Sequence, residues 1–240
     1  MKQIVIISGK GGTGKTTVSA ALADLAAKEK NLVLADADVD AANLEILLNP
    51  RLISKAIFAS GQKAMIDARK CIACGRCDEI CRFEAIQFHE NSYSINPQLC
   101  EGCLACLHQC PVNAITTQTC QTGEWYQSET DYGPFFHARL EPGEENSGKL
   151  VAEIIEKARV AASEIQADIL LVDGPPGTGC PVTAACRSAD LAIVVSEPTV
   201  SGKHDLERIL QVTHHFKIPT WLVLNKANLS EKLRQEMLSF

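Results

Sequence analysis

An α/β fold, a doubly wound and mostly parallel sheet carrying a small α+β insert, is what this sequence predicts. Three observations lead to it. An apolar run, Ile4 to Ile7, enters Ser8-Gly9-Lys10-Gly11-Gly12-Thr13-Gly14-Lys15-Thr16-Thr17, and an alanine-rich amphipathic run, Val18 to Ala27, leaves it. Further short apolar runs alternate with helix-period segments, and polar residues gather where those runs end. From about Phe58 the composition changes, and eight cysteines fall into two regularly spaced sets.

Bulk properties narrow the field. The chain has 240 residues, a net charge of −6, 46% hydrophobic content and 11 cysteines. That length suits one large domain or two small ones. With no basic block, a nucleic-acid partner is not expected, and no apolar run reaches the roughly 18 residues of a membrane span. The N-terminus enters a strand directly and reads as lacking a leader, so a cytoplasmic setting is expected. There, clustered cysteines point to metal or redox chemistry rather than disulfides.

The first unit is strand Gln3 to Ile7, a glycine loop, and a helix of about Lys15 to Glu29. Gly9 to Thr16 fits the Walker A pattern G-x-x-x-x-G-K-[ST]. Its glycines allow a nest of backbone N–H groups that converge on phosphate oxygens, and the following helix adds its N-terminal dipole. Gly9, Gly11, Gly12, Thr13, Gly14, Lys15, Thr16 and Thr17 are therefore the expected nucleotide-binding residues. Lys15 would reach the β and γ phosphates of ATP, and Thr16 would ligate Mg²⁺. Strand Leu32 to Ala35 runs into Asp36-Ala37-Asp38-Val39-Asp40, an acidic stretch suited to Mg²⁺ and water positioning. Near the other end, apolar Asp168 to Val172 ends in Asp173-Gly174-Pro175-Pro176-Gly177-Thr178-Gly179. Asp173 reads as Walker B, holding Mg²⁺, and the loop after it as one whose shape follows the γ-phosphate.

Between these segments, Cys71, Cys74, Cys77 and Cys81 form C-x2-C-x2-C-x3-C. Cys100, Cys103, Cys106 and Cys110 repeat it, each 29 positions after its counterpart. Glu84-Ala85-Ile86 and Asn113-Ala114-Ile115 extend the similarity, so the insert is an internal duplication. Zinc is the competing reading, but structural zinc favours separated C-x2-C pairs. Cys120 lies outside both sets and reads as an ordinary thiol, and Cys186 as a buried helix residue. Gly123 to Phe136 suggests a hairpin returning to the main domain. Glu144 to Lys149 reads as a loop with a helix start, leading to a helix ending near Ile165; Lys149 reads as a solvated lysine. Strand Leu191 to Val195, helix Gly202 to His215 and strand Thr220 to Leu224 complete the pattern, with His214 and His215 a cationic pair at a helix end.

Two resemblances sharpen these readings. Lys10 gives the loop the deviant form G-K-G-G-T-G-K-T-T. With D-A-D after the second strand and D-G-P-P-G-T-G after Asp173, the chain resembles the MinD/ParA/Mrp superfamily of deviant Walker A P-loop NTPases, related to the nitrogenase iron protein. The resemblance implies a Mg-dependent, dimer-activated ATPase, either a homodimer or a heterodimer with a related subunit. It further implies that Lys10 reaches the partner's nucleotide, Asp38 orients the attacking water, and Asn225 contacts adenine. Members usually continue through another strand and helix, so the nucleotide domain is expected to be C-terminally incomplete. Cys180 stands seven positions beyond Asp173, where the nitrogenase iron protein has a cluster ligand. No second matching cysteine is found, and a packing thiol is the favoured reading.

The cysteine repeat resembles bacterial ferredoxins with two [4Fe-4S] clusters, in which three close cysteines bind one cube and the fourth binds the other. The resemblance implies one cluster on Cys71, Cys74, Cys77 and Cys110, and another on Cys100, Cys103, Cys106 and Cys81. Pro111 matches the usual proline after the fourth cysteine; Arg82 departs from it. The expected organisation is a nucleotide domain in two parts, 1–57 and 119–240, around a ferredoxin domain at 58–118. ATP and ADP are the expected ligands, together with a redox protein partner that no motif specifies. The leading functional expectation is an ATPase coupled to low-potential electron transfer. A cluster carrier and a MinD/ParA-like positioning ATPase are the alternatives.

Overall fold

Strand β1 (Lys2–Ser8) is buried without interruption from Val5 to Ser8, as a parallel strand covered on both faces must be. In the computed structural model, residues 1–142 and 147–239 are described. The chain continues through α1 (Lys15–Ala26), β2 (Leu32–Asp36), α2 (Leu44–Leu48) and the long strand β3 (Arg51–Ile66). It then forms α3 (Arg76–Ile80), β4 (Ile86–His89), β5 (Ser92–Ile95), α4 (Ala105–Gln109) and the second long strand, β6 (Ile115–Thr130). The remainder is β7 (Gly133–Leu140), α5 (Ser147–Glu164), β8 (Ile169–Pro176), α6 (Cys180–Cys186), β9 (Leu191–Ser196), α7 (Val200–His215), β10 (Thr220–Leu224) and α8 (Glu231–Leu238).

Contacts divide the chain into two units. One comprises Met1–Ile57, Gly123–Glu141 and the chain from Ser147 onward; the other is chiefly Phe58–Thr122. In the first, the strand order is β10-β9-β1-β8-β2-β7-β6-β3. All pairings from β10 to β7 are parallel, and β6 pairs antiparallel with β7 as the expected hairpin. Ile6, Leu34, Phe135, Leu171 and Ile193 form its core, with Ala23 of α1 packed among them. The sheet is thus α/β and mostly parallel, with the carboxyl ends of β1, β2 and β8 side by side.

Boundaries differ from expectation in instructive places. Helix α1 stops at Ala26 rather than Glu29, so Lys28 to Lys30 fall in a polar turn. Strand β2 includes Asp36, and β8 runs through Asp173 to Pro176. The continuation of β8 depends on Gly174, because a Cβ there would meet Ile7 and the Ile6 carbonyl. That absence lets Pro176 pair with Ser8 beyond a register shift. Helix α7 begins at Val200, two residues before the expected start, because the Thr199 hydroxyl accepts from the Gly202 N–H as its N-cap. Of the loop with a helix start expected over Glu144 to Lys149, the part from Ser147 belongs to α5 and the rest lies outside the described residues.

In the second unit, β4 and β5 form an antiparallel hairpin, and Ala64, Cys77, Ile86, Cys106 and Ile115 make a small core. The duplication is visible in the backbone. Left-handed φ values recur at equivalent positions of the repeat: Ala73 (54°) with Gly102 (65°), Gly75 (80°) with Leu104 (59°), and Glu84 (52°) with Asn113 (50°). Non-glycine residues avoid this region at a cost of about 1–2 kcal/mol. Ala73, Glu84 and Leu104 adopt it because both arms follow one loop path.

Candidate functional site

The glycine loop lies where β1 hands the chain to α1. Gly14 has φ 92°, and a Cβ there would strike the Asn225 side chain; a Cβ on Gly9 would strike the Asp205 carbonyl of α7. The loop is thus held closely from behind. Asn225 Nδ2 donates to the Thr13 carbonyl at 2.8 Å, and Lys226 Nζ donates to the Gly12 carbonyl at 2.9 Å. In front of the loop lies an open groove of about 620 Å³. Gly11, Gly12, Gly14, Lys15, Thr16 and Thr17 line one wall, with Asp38, Asp40 and Asn43 of the loop after β2 opposite.

At the groove's floor, Lys15 Nζ lies 2.9 Å from Asp173 Oδ1 and 3.6 Å from Asp38 Oδ2. Lys15 is 6% exposed and Asp173 1%, so each would be costly to bury without the other. The Ser19 hydroxyl donates to the same Asp173 oxygen at 2.8 Å. Asp173 Oδ2 is buried with no hydrogen-bond partner. A buried carboxylate oxygen without a partner suits a divalent cation.

Asp36, expected just past the end of the second strand, is a fully buried strand residue in register with Asp173. Its Oδ1 accepts from the Asp38 N–H at 3.1 Å; its Oδ2 accepts from the N–H groups of Asn43 (3.1 Å) and Leu44 (3.0 Å). Burial, with the Asp173 charge second, pushes its carboxyl up to about 7. Burial also raises Asp38, against the attraction of Lys15. Just beyond this loop, Glu45 of α2 pairs with His137 Nε2 at 3.0 Å and with Arg139, both on β7. His137 is stacked between Tyr126 and Phe135, each ring centroid 4.8 Å away.

Lys10 points away from this floor. Its Nζ lies 2.7 Å from Glu197 Oε1 and donates to the Ser201 hydroxyl at 2.9 Å. Glu197, at the end of β9, also takes Lys226 Nζ at 2.8 Å. Of the expected nucleotide residues, the structure therefore gathers Lys15, Thr16, Thr17, Asp38 and Asp173 at one place. Lys10 and Asn225 brace the loop from the α7 and β10 side. Asp36, Ser19, Glu197 and Lys226 were missed as site residues. The available signal was that Glu197, like Asp173, comes at the end of an apolar run, here Leu191 to Val195.

In the second unit, the eight repeat cysteines sort into two small cavities of about 20 Å³ each. Cys71, Cys74, Cys77 and Cys110 line the first; Cys100, Cys103, Cys106 and Cys81 line the second. Cys77 and Cys106 are buried, Cys74 and Cys103 exposed, and the other four half-buried. Burial pushes the Cys77 thiol up to about 11 and raises Cys106 as well. Backbone N–H groups point at sulfur, Ala73 to Cys71 Sγ at 3.4 Å and Ala114 to Cys110 Sγ at 3.2 Å. Among the described residues, no group of three or more His, Cys, Asp or Glu converges on a point that would hold a single metal ion. Cys120 and Cys180 line neither cavity, and Cys186 is buried in α6. No described helix is long and apolar enough to cross a membrane.

Comparison with known proteins agrees with the mostly parallel α/β fold. The CobQ/CobB/MinD/ParA nucleotide binding domain matches residues 4–239, and the chain belongs to that family. An uncharacterized protein of Methanocaldococcus jannaschii is 36% identical over 230 residues, 95% of this chain and 79% of its own. From the same organism, the pyruvate synthase subunit PorD is 44% identical over 55 residues, 22% of this chain and 64% of that one. The septum site-determining protein MinD of Pyrococcus horikoshii, solved with Mg-ADP, has a TM-score of 0.52 at 18% identity. It is matched over 98% of this chain and 76% of its own. At that identity the likeness shows the fold alone.

Proposed function

We propose that this chain is a Mg-dependent ATPase whose nucleotide state governs low-potential electron transfer through two [4Fe-4S] clusters. The observation that carries the reading is the sorting of the cysteines. Each cavity takes three from one arm of the repeat and the fourth from the other arm, which is the ligand exchange of two-cluster ferredoxins. A cube holds its thiolates apart at four corners, so cysteines spaced around a cavity suit it better than cysteines converging on one point. N–H groups aimed at sulfur are one means by which proteins tune cluster potentials. The PorD likeness is compatible with this reading. The domains proposed are a nucleotide domain at 1–57 and 119–240 and a ferredoxin domain at 58–118.

On the nucleotide side, the glycine loop and Lys15 would bind the phosphates, and Thr16 and Asp173 would hold Mg²⁺. The cation would neutralise charge developing on the phosphates. Asp38 would orient the water that attacks the γ-phosphorus as its bond to the β-phosphate oxygen breaks. Lys10 would act across a dimer. The loop that carries Asp38 is anchored on Asp36 and continues into α2, and the chain then enters the cysteine unit along β3. A change at the γ-phosphate would thereby bear on the clusters, which would pass single electrons from a one-electron protein donor to a one-electron acceptor.

Anaerobic reconstitution followed by a spectroscopic redox titration, without nucleotide and with a non-hydrolysable ATP analogue, tests the proposal. The expected result is about eight irons per chain, with a nucleotide-dependent potential shift of about 60 mV, a tenfold change for a one-electron couple. Failure to load iron would sink the cluster assignment. Loaded clusters with the same potential and the same rate of electron delivery in both states would sink the coupling.

A further inference from the structure

The loop that presents Asp38 is held at both ends. Near its start, the Ala37 N–H donates to the Asp173 carbonyl at 2.8 Å, and the Val39 carbonyl accepts from the Leu140 N–H of β7 at 3.1 Å. At its far end the loop becomes α2, a helix of five residues and too short to hold its place alone. Leu44 and Leu48 of α2 are buried, while Ile46 and Leu47 line the groove. Glu45 turns to β7 instead. Its Oε2 meets His137 Nε2 at 3.0 Å and its Oε1 takes Arg139, so both oxygens are occupied by one strand. His137 is 4% exposed and its Nδ1 has no partner, which leaves Glu45 as the polar partner of its ring among the described residues. The contact continues onto β6, the strand by which the chain returns from the cysteine unit. There the Tyr126 ring stacks on His137, the Arg139 guanidinium lies 6.0 Å from the centre of that ring, and the Tyr126 hydroxyl donates to Glu124 at 2.6 Å.

We infer that Glu45 is a positioning residue: its grip on His137 and Arg139 sets the place of Asp38 and ties the Asp38 loop to β6. This rests on the proposed role of Asp38 in orienting the attacking water. A carboxylate suits the task because two donors on one strand need two acceptor oxygens, and the Arg139 charge adds attraction. An amide would offer one acceptor and turn its NH₂ toward the other donor. A loop released at Glu45 keeps its anchor at Val39 but lets Asp38 sample more positions, and only the fraction of chains with Asp38 in place stays productive. The glycine loop and Lys15 lie on the opposite wall of the groove. Binding of ATP and its hydrolysis therefore respond differently to loss of the grip. In the other direction, a shift of the loop on nucleotide binding reaches β6 through Glu45, His137 and Tyr126.

The test compares ATP hydrolysis by the reconstituted full chain with that of Glu45→Gln, Arg139→Met, Asp38→Asn and the double variant of Glu45→Gln with Asp38→Asn. Glu45→Gln is expected to lower kcat about five- to tenfold with KM for ATP within about twofold. It is expected to add no loss to the residual activity of Asp38→Asn. Arg139→Met leaves His137 on Glu45 and is the milder variant, with the same split and a kcat loss of about two- to threefold. Hydrogen exchange gives a second readout: a non-hydrolysable ATP analogue is expected to change the protection of residues 124–126 in the natural chain but not in Glu45→Gln. An unchanged kcat, a KM raised as much as kcat is lowered, or an equal further loss in the Asp38→Asn background would refute the positioning role. Protection at 124–126 that ignores the analogue, or responds alike in both chains, would refute the tie to β6. If Asp38→Asn itself left kcat intact, the role of Asp38 would fall, and that of Glu45 with it.

Discussion

Asp36 and Asp173 stand opposite each other in paired strands β2 and β8, both buried, yet they meet different kinds of partner. Asp173 has the Lys15 ammonium and the Ser19 hydroxyl; Asp36 has three backbone N–H groups of the loop that follows it. Asp36→Asn leaves only one acceptor oxygen for three donors. Hydrolysis should fall about tenfold, since each lost charge-assisted bond is worth about 1.5–3 kcal/mol. The melting temperature should fall, because the lost hydrogen bonds outweigh the relief of repulsion from Asp173. Limited proteolysis should show faster cleavage between 37 and 43.

Lys15 carries structural as well as nucleotide duty. Lys15→Ala strands Asp173 in the interior and should cost about 3 kcal/mol or more in urea unfolding. Adding Asp173→Asn should recover most of that loss, while ATP binding, followed by calorimetry, stays absent in both variants.

The crossed cavities make an asymmetric prediction. Cys110→Ser should empty the cavity lined by Cys71, Cys74 and Cys77, and Cys81→Ser the other. Iron should drop from about eight to about four per chain in each variant, with different paramagnetic signals surviving. Identical residual signals would contradict the assignment.

His137 links pH to stability. Burial, helped by Arg139 and opposed by Glu45, pushes its imidazole down to about 4 from 6.5. Between those values the unfolded chain binds a proton that the folded chain refuses. The contribution is therefore complete above about 6.5 and is lost as pH falls toward 4. His137→Gln should flatten the stability decline across that window by roughly 1–3 kcal/mol, measured by denaturant unfolding at several pH values.

Much of this was legible in sequence because it is local. The glycine loop, the strand before it and the cysteine spacing are all encoded within a few neighbouring residues. What escaped depends on distant contacts. Asp36 looks like a loop residue until its carboxylate is seen to gather N–H groups as far along as Leu44. The extension of β8 past a charge requires Gly174 to lie against β1. Glu197 gains its meaning from Lys10 and Lys226, one far before it in the chain and one after. Glu45 and His137 meet only when α2 packs on β7. No periodicity reports such pairings.

The two arms of the repeat share a loop path, down to matching left-handed residues, but neither arm encloses a cavity with its own four cysteines. Gene duplication normally frees one copy to decay. Here each arm lends a sulfur to its sibling's cavity, so erosion of either leaves both cavities short. The copies are bound to a common fate, free to diverge in surface residues such as Arg82 and Pro111 but not in the frame that exchanges Cys81 for Cys110.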